Sequence, residues 1–216
     1  SPGWNQKWRR PLRDALDYLR DHLAKIFEQE GPKYFNDDPW NVRNKYIIVI
    51  LDRSSTTIKK FQKENFKPDL SEEDKVKGME LLEIQRQAML MYTSCGWFFS
   101  EISGIETVQI MKYAARAMQL ASRFSNENFE EKFLEILSNA KSNIPEFGTG
   151  KDIFERFVKP SVVSAKEIAC LWAISSLYQD FEDEEDVYCY TVKRNFYQKV
   201  QKGTSTLLIG NIEIHS

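Results

Sequence analysis

A chain of 216 residues is long enough for one large domain, or a domain with an appendage. Burial of roughly 70% of the unfolded surface at this size makes a staple unnecessary. Thirty basic against 32 acidic residues leave a net charge of −2, which excludes a dedicated nucleic-acid surface, since that needs clustered positive charge. The longest aliphatic run, 47–51, is far short of the roughly 18 apolar residues that span a bilayer.

The opening Ser1-Pro-Gly lacks Met and any charged-then-apolar leader pattern, so the chain reads as a module excised from a longer polypeptide. Cys95, Cys170 and Cys189 are odd in number and lack C-x-x-C spacing. They describe neither a disulfide framework nor a thiolate zinc site and fit a reducing cytoplasm.

Pro11 suits a first helical turn, and Leu12, Ala15, Leu16, Leu19, Leu23, Ile26 and Phe27 then repeat at helical spacing. Gly31-Pro32 is expected to stop this helix. Asp38 as N-cap and Pro39 at the first helical position start a second, predicted over 40–53. A weaker helix covers 56–64. Ser71-Glu-Glu-Asp74 resembles a capping box ahead of a long helix. Its apolar stripe is Leu81, Ile84, Ala88, Met91 and Cys95, at steps of 3, 4, 3 and 4.

Gly96 and Ser103-Gly104 punctuate the chain before a helix over 105–124. That helix has one narrow polar stripe: Gln109, Lys112, Arg116, Gln119 and Arg123. A helix so patterned is covered on most sides and is expected at the centre of a bundle. Shorter helices follow at 128–142, 151–158 and 164–178. The acidic run 182–186 reads as a solvated linker. Residues 187–192 and 205–214, with a turn at Lys202-Gly203, predict a β-hairpin. The expected fold is therefore mainly α: a helical bundle over 1–180 and a hairpin over 187–216. The hairpin must pack on the bundle or on a missing partner domain.

Catalytic material is sparse. His22 and His215 stand apart from every cysteine, which leaves no Ser-His-Asp or Cys-His unit. No Gly-rich phosphate loop or H-E-x-x-H occurs. Counted from Asp180, an EF-hand loop would need glycine where Glu185 stands. No metal or cofactor is expected. Asp38, Trp40 and Arg43 place a cap, an aromatic face and a cation within one turn. They form either a packed helix start or a platform for sugar rings. The densest cluster is the aromatic break Tyr92-Thr-Ser-Cys-Gly-Trp-Phe-Phe99, running on to Glu101 and Glu106. Tyr92, Cys95, Trp97, Glu101 and Glu106 either build a core corner or face a substrate or partner. Paired carboxylates can act in glycoside hydrolysis when about 5 to 10 Å apart. Cys95 has no visible activating base.

The run Gln85-Arg-Gln-Ala-Met-Leu-Met-Tyr-Thr-Ser-Cys-Gly-Trp-Phe-Phe-Ser-Glu-Ile-Ser-Gly-Ile-Glu-Thr-Val-Gln-Ile-Met-Lys-Tyr-Ala-Ala-Arg116 closely resembles a domain of bacterial-type polypeptides. That domain follows the catalytic domain in certain glycoside hydrolase family 57 proteins and is catalogued as domain of unknown function 3536. Asp38-Pro-Trp-Asn-Val-Arg43, with Tyr46 and Leu51-Asp-Arg-Ser54, resembles a second signature, and 203–214 its β segment. The resemblance implies a non-catalytic accessory domain of an α-glucan-acting enzyme. Its partner is the enzyme's N-terminal barrel, with α-glucan as a possible ligand. Trp40, Trp97 and Glu101 would face the shared cleft. Ser100 departs from the pattern, where an acidic residue is expected. A stand-alone glycan-binding module and a purely structural interaction domain are the alternatives.

Overall fold

The apolar stripe of the first helix, α1 (Arg9–Tyr34), is fully buried from Leu12 to Phe27. In the computed structural model, which describes residues 3–187 and 190–215, α1 packs against α5 (Glu72–Leu90), α7 (Ile105–Ala121) and α8 (Phe129–Leu137). Between them lie α2 (Pro39–Lys45), α3 (Ile47–Leu51), α4 (Ser55–Asn65) and α6 (Cys95–Phe98). A short α9 (Gly150–Ile153) continues into a π-helical turn, Phe154–Val158. The mainly α architecture expected from the sequence is the one observed.

α7 is the central helix. Val108, Ile110, Met111, Ala114, Ala115, Ala117, Met118 and Leu120 are buried, while Gln109, Arg116 and Arg123 of the polar stripe are exposed.

Gly31-Pro32 does not stop α1, which runs through Pro32 to Tyr34. The reason is tertiary. Phe35 N–H continues the helical pattern to Gly31 O, and the last carbonyls take donors from a distant segment: Lys67 N–H donates to Tyr34 O and Lys67 Nζ to Pro32 O. The helix expected over 40–53 divides at Tyr46 into α2 and α3. Asp38 caps α2 as expected, its carboxylate accepting from Trp40 N and Asn41 N. Ser71 accepts from Asp74 N as expected of a cap, but the Asp74 carboxylate accepts from the Ser71 hydroxyl and not from its backbone N–H, so the expected capping box is only half formed.

The chain divides into two units, Ser1–Val162 and Val163–Ser216. The second holds α10 (Ala165–Ser175), capped reciprocally by Ser164 and Glu167, and an antiparallel sheet whose strands lie side by side in chain order. Thus the last helix groups with the strands. The sheet consists of β1 (Glu184–Val187), β2 (Tyr190–Lys202) and β3 (Ser205–His215). Three of the five residues of the acidic run expected to be a linker are therefore strand, with Glu184 opposite Lys193. The expected strand over 187–192 belongs to two strands, with Val187 paired to Tyr190. Cys189, like Ser1, lies outside the described residues. The β2–β3 turn falls where Lys202-Gly203 signalled it. Gly203 has φ +60° in the first place of a two-residue loop, a backbone that disfavours other residues. Ile168, Trp172 and Val192 form this unit's small core.

Candidate functional site

The aromatic break folds into a tight corner because two contacts press α6 onto α7. A methyl group on Gly96 would lie 2.5 Å from the Ile110 side chain, so only glycine allows the approach. Thr107 Oγ1 donates to Gly96 O at 2.9 Å. The backbone after α6 is then tied down from two distant segments. Arg9 Nη2 donates to Phe98 O and Phe99 O, each at 3.2 Å. Trp8 Nε1 and Asn143 Nδ2 both donate to Ser100 O, at 3.3 and 2.8 Å. The result is a rigid backbone that presents two rings to solvent. Phe98 is 77% and Phe99 46% exposed, edge to face at 5.3 Å.

Glu101 is turned inward, at 8% exposure. Its Oε1 accepts from Ser142 Oγ at 2.6 Å and Ser103 N at 3.2 Å, and its Oε2 from Asn143 N at 2.8 Å. Three donors engage this carboxylate, so its chemistry is that of a buried loop anchor. Glu106 is half-buried in the first turn of α7, where its charge complements the helix dipole. Cys95 is an exposed free thiol at the start of α6.

Tyr92 and Trp97 meet α1 residues that the sequence reading did not single out. The Arg13 guanidinium lies 4.7 Å from the Tyr92 ring centre and 6.0 Å from that of Trp97. Asp17 accepts from Tyr92 Oη at 2.6 Å, Arg20 Nη1 at 2.8 Å and Arg13 Nε at 3.0 Å. Burial by itself would raise the Asp17 pKa; Tyr92, Arg20 and Arg13 together outweigh it and hold the carboxyl below its usual value. Burial, then the bond to Asp17, pushes the Tyr92 phenol up. The only sequence signal was the spacing of Arg13, Asp17 and Arg20 along one helix face, which any solvated helix shares.

The second candidate group stands apart. Among the described residues no hydrogen bond, ion pair or ring contact joins Asp38, Trp40 or Arg43 to the corner. Trp40 is half-buried, with Phe27 at 5.0 Å, Arg43 at 5.3 Å and its Nε1 donating to Glu28 at 3.0 Å. These contacts make it a packed helix start rather than an open platform. Tyr46 and Arg53, from the second signature, converge on Glu83 of α5. Tyr46 Oη donates to Glu83 Oε1 at 2.5 Å, and Arg53 and Arg86 pair with the carboxylate at 2.8 and 3.2 Å. Burial, then the bond to Glu83, raises the Tyr46 pKa. Burial works against the Glu83 charge, yet Tyr46 and Arg53 hold its pKa below the usual value.

His22 Nδ1 lies 2.8 Å from Tyr18 O, and the ring packs on Tyr18 and Phe129, a packing role. It borders a surface cleft of about 340 Å³ with Lys25, Phe124 and Glu127. Among the described residues no group of three or more His, Cys, Asp or Glu side chains is placed to hold a metal ion. No helix of the described residues is long and apolar enough to cross a membrane.

The model of a family described as a domain of unknown function, DUF3536, matches residues 4–216. No curated protein and no solved structure matches the chain.

Proposed function

We propose, from the premise that this chain belongs to the DUF3536 family, that it is a non-catalytic accessory domain of a family 57-like glycoside hydrolase acting on α-glucans. In this reading the domain packs on the N-terminal catalytic barrel of the same polypeptide, and the α6 corner helps to form the substrate cleft. The observation that carries it is the pair Phe98 and Phe99: exposed rings on a backbone fixed by Arg9, Trp8 and Asn143. Ordered aromatic side chains lose little entropy on contact, which suits them to a partner or a sugar face. The engaged Glu101 supports a non-catalytic role, because both its carboxylate oxygens are occupied by donors of the loop it anchors and it is turned away from solvent. The exposed thiols Cys95 and Cys170 support a cytoplasmic setting.

A second reading, a purely structural contact domain, is favoured by one observation: Arg13 lies over both Tyr92 and Trp97, leaving less ring face for sugar.

Calorimetry of the chain with maltooligosaccharides separates these from a stand-alone glycan-binding module. The accessory reading expects no measurable binding by the chain alone. It also expects lower glucan hydrolysis by the complete enzyme carrying Trp97→Ala, compared at a temperature where this variant, which loses core packing, is still folded. Tight binding by the chain alone that Trp97→Ala abolishes transfers the assignment to a binding module. Unchanged hydrolysis in that variant sinks the cleft role.

A further inference from the structure

The outer side of α2 and α3 forms a second surface. Val42, Tyr46 and Val49 are buried and fix the two helices to the core. Trp40, Arg43, Ile47 and Leu51, at steps of 3, 4 and 4, follow a different face. Ile47, Ile48 and Leu51 are 51%, 55% and 80% exposed, and Met89 of α5, 48% exposed, adjoins them through Arg43. A cluster of large aliphatic side chains in water marks an interaction site more often than an idle surface.

Arg43 shows what chemistry covers it. Among the described residues its guanidinium has no carboxylate partner. Nη1 lies 3.3 Å from the Met89 sulfur, a weak acceptor, and Nε is buried without an acceptor. The neighbouring cations each have a carboxylate in contact, Lys45 with Asp37, and Arg53 and Arg86 sharing Glu83. A half-buried cation without a counterion is unfavourable, and an arriving carboxylate relieves it. The aliphatic side chains have no polar groups for a sugar's hydroxyls, so a protein fits better than a glycan. A two-fold contact with a second copy would set like patch on like patch, and this patch offers Arg43 no carboxylate of its own.

We propose that the α2–α3 face is a docking surface for a folded face of the same polypeptide, one that presents aliphatic side chains and a single carboxylate to Arg43. The choice of partner rests on the accessory-domain reading above; the surface and its chemistry do not. Aliphatic anchors around a desolvated arginine pair make a strong contact, because such an arginine concentrates binding energy.

The test uses the complete natural polypeptide with photoreactive benzoylphenylalanine placed at position 51 and, in parallel, at position 98. After irradiation, crosslinked peptides are identified by mass spectrometry. We expect position 51 to crosslink within the same polypeptide, to a segment bearing Asp or Glu. Arg43→Glu is expected to reduce that crosslink about tenfold or more, and changing the partner carboxylate to Lys is expected to restore it. The thermal midpoint of Arg43→Glu in the isolated chain checks that the domain still folds. If it does not fold, Arg43→Met replaces it, with the same loss expected. No crosslink from position 51, or crosslinks only to a second copy, overturns the proposal. A crosslink from 98 but not 51 overturns this inference and leaves the accessory-domain reading standing. A crosslink from 51 but not 98 does the reverse for the corner.

Discussion

Tyr92 of the corner donates its phenolic hydrogen to Asp17 of α1, 2.6 Å away and 75 positions earlier in the chain. This bond ties the end of α5 to the face of α1 that carries Arg13 and Arg20, and so sets the orientation of the corner. Tyr92→Phe keeps the ring and its contact with Arg13 but removes the bond. A charge-assisted hydrogen bond in a half-buried setting contributes about 1–2 kcal/mol. Urea unfolding is expected to show a lower midpoint by that amount with an unchanged slope.

Glu101 anchors the loop that carries Phe98 and Phe99. Glu101→Gln removes the charge and turns an amide donor toward donors on Ser103, Ser142 and Asn143. The expected loss is about 2 kcal/mol, which for a domain of this size lowers the thermal midpoint by roughly 4–8 °C. A midpoint within about 1 °C of wild type, at most a quarter of that shift, contradicts the anchoring role.

Gly96 lets α6 lie on α7. Gly96→Ala places a methyl against Ile110, which is buried, and overpacking of this kind costs about 1–3 kcal/mol. Ile110→Ala in the same chain vacates the space. The two substitutions together are then expected to destabilise by less than the sum of each alone, as a double-mutant cycle measures.

The Tyr46–Glu83 pair governs stability against pH from both sides. The Tyr46 pKa is raised in the folded chain, so its contribution is complete below the ordinary tyrosine value of about 10. It is lost as pH rises from there through the folded value. The Glu83 pKa is depressed, so its contribution is present above the ordinary glutamate value of about 4.3 and is lost as pH falls through the folded one. Urea midpoints above about pH 10 should fall less steeply for Tyr46→Phe than for wild type.

How far the sequence could be read depended on how local each interaction is. Asp38-Pro39 and Ser71 announce caps, because a cap involves a few consecutive residues. The polar stripe of α7 announces burial, because one helix carries the whole pattern. Pro32 misled, because Lys67 supplies donors that no local pattern reveals. The acidic strand β1 misled because its pairing with β2 comes from backbone groups, to which Glu184 and Glu185 side chains give no clue. Glu101 had the look of a site residue. Its role depends on Ser142 and Asn143, which stand 41 and 42 positions later. Arg13 was invisible as a corner residue for the same reason.

The role proposed for the exposed rings of the corner, Phe98 above all, is to meet a partner and not to stabilise the domain. The direct measurement compares Phe98→Ser in the isolated chain and in the complete polypeptide. Phe98 is 77% exposed, so the isolated chain should keep its unfolding midpoint. Glucan hydrolysis by the complete polypeptide should drop about tenfold or more, the effect of removing a central aromatic anchor. An unchanged rate of hydrolysis, with the midpoint also unchanged, contradicts the claim.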